Sequence, residues 1–109
     1  MIAVIRLVAT ADEPLADEAS AALAVLAARP GYVRGSAGRA TDDPTQWVLV
    51  TEWRDIGSYR RALGNFDVKV HAQALLSRAV DEANAYEVLV EAQPGAQPVR
   101  YESDLDTLG

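Results

Sequence analysis

The strongest constraint in this chain is that its two best strand-like segments are apolar on both sides. Side chains alternate across a strand, so residues two apart share a face. In Gln46 to Trp53, Val48 and Val50 point one way while Trp47, Leu49 and Trp53 point the other. In Met1 to Ala9, Ile2, Val4 and Val8 oppose Met1, Ala3, Ile5 and Leu7. An antiparallel sheet with one wet face alternates apolar with polar instead. The helices of one chain cover one face, and the second apolar face needs another cover. A second copy of the chain is the simplest, so a homodimer with its two sheets packed face to face is expected. Burying a few large side chains there contributes on the order of 5–10 kcal/mol.

Length and charge narrow the rest. A chain of 109 residues favours one domain. Sixteen acidic residues against ten basic ones give a formal net charge of -6. That balance argues against nucleic acid as a partner, because phosphate contacts need clustered Lys and Arg. Without cysteine there is no disulfide, no thiolate catalysis and no Cys-based metal site. No apolar run approaches the ~20 residues of a membrane span. The first ten residues, MIAVIRLVAT, read as a strand rather than a signal peptide, so the expected location is the cytoplasm.

The element order follows from periodicity and punctuation. Met1 to Ala9 is a β-branched strand. Thr10 and Glu13 are spaced like a capping box ahead of a helix over about 13–28, with Leu15, Ala19, Ala22, Leu23 and Leu26 as its stripe. Pro30-Gly31 stops that helix. Tyr32 to Ala40 is a second strand in which Gly35 and Gly38 suggest a bulge or a close backbone approach. Residues 41–45 form a hairpin loop before the third strand, Gln46 to Trp53. Asp55 caps a short helix to about Leu63, and Gly64-Asn65 breaks it. Asp67 caps a third helix with Val68, Ala72, Leu75, Leu76 and Ala79 along one stripe. Tyr86 to Val90 is the last strand, and Pro94-Gly95 ends the periodic part. The order βαββαβ predicts an α+β, ferredoxin-like antiparallel sheet with helices on one face. Residues 1–92 form the domain. Residues 93–109 form a tail, holding Val99, Tyr101, Leu105 and Leu108, that packs on its own subunit or crosses to the partner.

This order, the Pro30-Gly31-Tyr32 entry to the second strand and the segment Trp47-Val-Leu-Val-Thr-Glu-Trp53-Arg-Asp55 resemble the antibiotic biosynthesis monooxygenase domain, a member of the dimeric α+β barrels. The resemblance covers residues 1 to about 91. It implies a homodimer and, in each subunit, a pocket between the sheet and its own helices. It also implies cofactor-independent oxygenation of an aromatic or quinone-like small molecule, with no cofactor and no metal. Other members degrade haem or metabolise signal molecules, and neighbouring families include polyketide cyclases, so the fold alone does not fix the chemistry. Two family positions differ. The ungapped match puts Ala62 where many members carry His or Trp, and the first strand lacks the Asn of the haem degraders.

Six residues are candidates for the site. His71, the only histidine, suits proton transfer with a phenolic or enolic substrate, or is a half-buried helix residue. Asn65 orients a carbonyl or forms the turn, and Tyr59 donates a hydrogen bond or packs on the sheet. Trp47 and Trp53 share a strand face and either stack on a flat aromatic ligand or belong to core and interface. Arg39, like Arg6, lies in a strand and needs an anionic ligand or a surface partner such as Glu52 or Glu91. One His with no carboxylate at ligand spacing makes a metal site improbable. The competing function is a non-catalytic dimer that binds an apolar molecule or serves in assembly. A cyclase or isomerase is a weaker alternative.

Overall fold

The computed structural model describes residues 1–103. Four strands form one antiparallel sheet: β1 (Ile2–Val8), β2 (Tyr32–Arg39), β3 (Gln46–Trp53) and β4 (Ala85–Tyr86), in the order β2-β3-β1-β4. Three helices follow from the same chain order: α1 (Leu15–Ala27), α2 (Ile56–Gly64) and α3 (Phe66–Leu76). This is the ferredoxin-like α+β arrangement, with the last two helices filling one crossover.

The sheet separates the strand residues as the alternation requires. Ala3, Ile5 and Leu7 of β1 and Leu49, Thr51 and Trp53 of β3 are buried toward the helices. They meet Leu15, Ala19, Ala22 and Leu26 of α1, Tyr59 and Ala62 of α2, and Val68, Ala72 and Leu75 of α3 in one core. On the other face Ile2, Val4, Val48 and Val50 are only half-buried, and Val8 is 47% exposed. Two ion pairs frame this apolar stripe. Arg34 bonds Glu52 at 2.7 Å, and Arg6 bonds Glu82 through two nitrogens at 2.6 and 2.9 Å. Arg6 is therefore an exposed residue with a surface partner, although that partner is neither Glu52 nor Glu91.

Local chemistry sets the ends of the helices. Asp55 caps α2 as expected, accepting from the Ser58 N–H at 2.7 Å. Asn65, not Asp67, caps α3: its Oδ1 accepts from the Val68 N–H at 3.3 Å. Asp67 instead sits in the first turn, where the helix dipole favours its charge. Glu13 does accept from the Thr10 N–H at 2.8 Å, but α1 starts two residues later, after Pro14. The β2 bulge lies between Tyr32 and Arg34 rather than at a glycine. Gly35 is a close approach instead, because a Cβ there would stand 2.6 Å from the Tyr32 hydroxyl.

The last strand differs most from expectation. The chain runs along β1 from residue 78 to 86, with Val80 N–H to Arg6 C=O at 2.9 Å, Val8 N–H to Arg78 C=O at 3.2 Å and Val4 N–H to Asn84 C=O at 2.7 Å. Ala85–Tyr86 then pair with Ala3 and Ile2. The Val90 end of the expected strand leaves the sheet. β5 (Val90–Glu91) pairs with β6 (Val99–Arg100) in a separate hairpin. Its turn is Gln93-Pro94-Gly95-Ala96, with Gly95 at φ +73° and Ala96 N–H to Gln93 C=O at 3.0 Å. That is the geometry Pro-Gly favours at a type II turn. The hairpin extends beyond the core: the radius of gyration is 15.2 Å, against about 13 Å for a compact chain of this length. Within the described residues the tail thus folds back on residues 87–91, while Leu105 and Leu108 lie outside them.

Candidate active site

An open cavity of about 810 Å³ lies where the end of the sheet, the start of α2 and the C-terminal hairpin face one another. Each wall has a local cause. Trp53 ends β3, and its indole N–H donates to the Thr51 hydroxyl at 2.8 Å, which fixes the ring. Tyr32 meets that ring edge-on at 5.3 Å and Tyr59 packs against it at 5.7 Å. The N-terminal ammonium of Met1 donates to the Trp53 carbonyl at 3.2 Å and holds the start of β1 beside it. Asp55 is the cap and Ile56 the first residue of α2, Tyr86 comes from β4, and Glu91, Tyr101 and Glu102 come from the hairpin.

The hairpin is held to its register by its own polar groups. The Tyr101 N–H donates to the Leu89 carbonyl at 2.9 Å. The Tyr101 hydroxyl donates to Glu91 Oε1 at 2.5 Å, and the buried Ser103 hydroxyl donates to Glu87 Oε1 at 2.6 Å. These short distances are those of hydrogen bonds to a charged carboxylate. The bond to Glu91 holds the Tyr101 phenol in its protonated form, raising its pKa above the usual tyrosine value. Burial raises the Tyr59 and Tyr32 phenols as well. Asp55 is pushed the other way, to about 2, first by the Ser58 N–H it accepts and then by the Ser58 hydroxyl and Arg54.

The sequence-derived candidates separate into three places. Trp53 lines the cavity, with Tyr59 packed behind it. Trp47 and Arg39 pair with each other at the far end of the sheet, about 20 Å along β3 from Trp53. There the Arg39 guanidinium stands 5.9 Å from the Trp47 ring centroid, and the buried Trp47 indole N–H has no acceptor among the described residues. Asn65 and His71 belong to α3. The Asn65 side chain is engaged as the cap, and His71 is exposed, whereas Val68, Ala72 and Leu75 turn toward the core. The layer between sheet and helices, where a pocket was expected, is filled by Leu49, Trp53, Tyr59, Val68 and Leu75.

Sequence reasoning missed Tyr86, Glu91, Tyr101 and Glu102 as cavity residues. A signal was available: Pro94-Gly95 flanked by Val90-Glu91 and Val99-Arg100 is a hairpin pattern. Among the described residues no group of three or more His, Asp or Glu is placed to hold a metal ion. None of the helices there is long and apolar enough to cross a membrane.

A four-stranded antiparallel sheet in the order 2-3-1-4, with its helices on one side, defines the ferredoxin-like class of α+β domains. Within that class the chain belongs to the antibiotic biosynthesis monooxygenase family, whose model matches residues 1–90. No curated protein matches it significantly. Among solved structures it is similar to SnoaB, a cofactor-independent oxygenase from Streptomyces nogalater. The identity is 26% over 81% of this chain and 93% of that one, with a TM-score of 0.63. A Nitrosomonas europaea protein bearing the same family name matches over 94% of this chain and 97% of its own, at 14% identity and a TM-score of 0.60. A Chloroflexus aurantiacus protein bearing it is 20% identical over 80% and 91%, with a TM-score of 0.57.

Proposed function

We propose that the protein is a homodimeric, cofactor-independent monooxygenase that oxidises a phenolic or quinol-type aromatic small molecule in the cavity at the end of its sheet. The observation that carries this reading is the cavity itself. Its volume suits a multi-ring ligand, its walls include Trp53, Tyr86 and Tyr101, and ionisable groups reach its edge. The similarity to SnoaB supports the reaction class. The chemistry needs little from the protein. An anthrone-type substrate loses a proton, and the resulting carbanion carries the electrons that reduce O2 and form the C–O bond. The peroxide then loses water to leave a ketone, so a CH2 and O2 become a C=O and H2O. The protein supplies an aromatic binding wall and a proton acceptor.

The homodimer rests on the half-covered strand face. Ile2, Val4, Val48 and Val50 form an apolar centre and the Arg34–Glu52 and Arg6–Glu82 pairs a charged margin. Apolar centre and polar rim are the usual anatomy of a protein interface. A second reading, binding without turnover, is favoured by the filled sheet–helix layer and by the exposure of His71.

Oxygen uptake with anthrone and naphthoquinol substrates separates the two. Oxygenase function predicts saturable, enzyme-dependent O2 consumption that falls when Tyr86, an exposed wall of the cavity, is replaced by Ala. Saturable binding with no O2 consumption selects the second reading, and neither binding nor consumption overturns both.

A further inference from the structure

We propose that Glu91, delivered by the C-terminal hairpin, is the carboxylate that takes the substrate proton, and that Tyr101 is its positioning residue. This rests on the oxygenase reading above and adds to it a residue outside the family match, which ends at residue 90.

The cavity offers five carboxylates, and two of them are paired with arginines. Glu52 bonds Arg34 at 2.7 Å. Asp55 caps α2 and pairs with Arg54 at 3.2 Å. Glu87 accepts the Ser103 hydroxyl at 2.6 Å. Glu91 and Glu102 complete the set. Of these, Glu91 is the one seen to receive a phenolic O–H, that of Tyr101, at 2.5 Å on Oε1. Its other oxygen, Oε2, has no partner among the described residues. A carboxylate that binds one phenol in a cavity with aromatic walls has the geometry to bind a second. His71, the other candidate, is exposed on α3 and does not line this cavity.

The proton balance closes on this one group. Glu91 takes a proton from the activated C–H or O–H, and the substrate anion passes its electrons to O2 as the C–O bond forms. The proton returns from Glu91 to the peroxide oxygen, and water leaves as the C=O forms. The carboxylate is restored. Tyr101 keeps Oε1 occupied and leaves Oε2 to take the proton. The substrate class that fits is a phenolic aromatic with a ring CH2 made acidic by a conjugated carbonyl, as in a hydroxylated anthrone.

The test uses the full chain and dithranol, a hydroxylated anthrone, as the probe. Without O2, wild-type protein should bind dithranol and produce the absorbance of its anion. With O2 it should consume oxygen. Glu91→Gln should still bind, judged by quenching of tryptophan fluorescence, but lose the anion band and about 10²–10⁴-fold of turnover. Glu91→Asp should restore part of both, and Tyr101→Phe, which frees Oε1, should still bind dithranol but weaken the anion band and turnover by less than Glu91→Gln does. Glu91→Gln retaining the band and turnover within about threefold of wild type overturns the proposal and leaves the oxygenase reading standing. Anion formation that depends on Glu91 without any O2 uptake supports the proton acceptor and overturns the oxygenase reading. A wild-type protein that binds dithranol without ionising it overturns the role of Glu91.

Discussion

Replacing Gly31 with Ala tests how the chain locks the site together. Gly31 follows α1, lies at φ +89°, and its carbonyl accepts the Arg54 N–H at 2.7 Å. It thereby ties the entry of β2 to the residue just after Trp53. A Cβ at Gly31 would stand 2.2 Å from Ser58 Oγ and 2.4 Å from Ser58 Cβ. Ser58 is 1% exposed and has no room to retreat. Two costs therefore add. The left-handed backbone costs about 1–2 kcal/mol for an alanine. Overpacking a filled site costs about 1–3 kcal/mol more. The sum, about 2–5 kcal/mol, is a large part of the ~5–15 kcal/mol that holds a domain of this size. Thermal unfolding followed by circular dichroism should show Tm lower by roughly 10–25 °C. Gly38→Ala is the control, since nothing lies within 4 Å of its Cβ position. It should move Tm by no more than a few degrees. Combining Gly31→Ala with Ser58→Gly should recover the packing share of the loss but not the backbone share, which a double-mutant cycle separates. A Gly31→Ala protein within about 2 °C of wild type would refute the reasoning.

Other perturbations reach other parts of the account. Asn65→Ala should cost about 1 kcal/mol as a lost helix cap, read by urea denaturation, with Asn65→Asp close to wild type. Asp55 and Glu13 both titrate near 2 in the folded chain, Glu13 chiefly through its hydrogen bond with Arg78 and Asp55 chiefly through the Ser58 N–H. Their unfolded values are about 4, so the stability they give is present above about pH 4 and drains as pH falls toward 2. Tm measured from pH 7 downward should be level and then decline in that window, and Asp55→Asn should flatten part of the decline. A level Tm down to about pH 2.5 would contradict this. Val4→Arg, in the middle of the half-covered strand face, should halve the mass seen by light scattering if two copies meet there. An unchanged mass would place the interface elsewhere.

Much of the framework was legible because its signals are local. β-Branched alternation marks β1 and β3, Pro30-Gly31 marks the end of α1, and Asp55 marks the start of α2. What misled was competition between equivalent signals. Asn65 and Asp67 are both cap residues, and the one adjoining the break at Gly64 won because its side chain reaches Val68 N–H. The run Tyr86 to Val90 alternates like a strand, yet the sheet pairing falls earlier, through backbone groups of Arg78, Val80 and Asn84, where Val80 stands alone among residues with no strand preference. The site was the least legible part. Trp53 was offered as a ring-stacking or a core residue, and its side chain is buried in the core where it borders the cavity, whereas Glu91 and Tyr101 meet only because the Pro94-Gly95 turn folds the tail back, and Met1 reaches Trp53 through the pairing of β1 with β3. Such contacts are set by topology, not by spacing.

The most direct test of the central claim is a crystal structure of the protein soaked with dithranol under nitrogen. The account predicts ring density in the cavity between Trp53, Tyr86 and the hairpin, with a ligand oxygen in hydrogen-bonding distance of Glu91. Density between the sheet and the helices instead, displacing Tyr59 or Leu75, would contradict it.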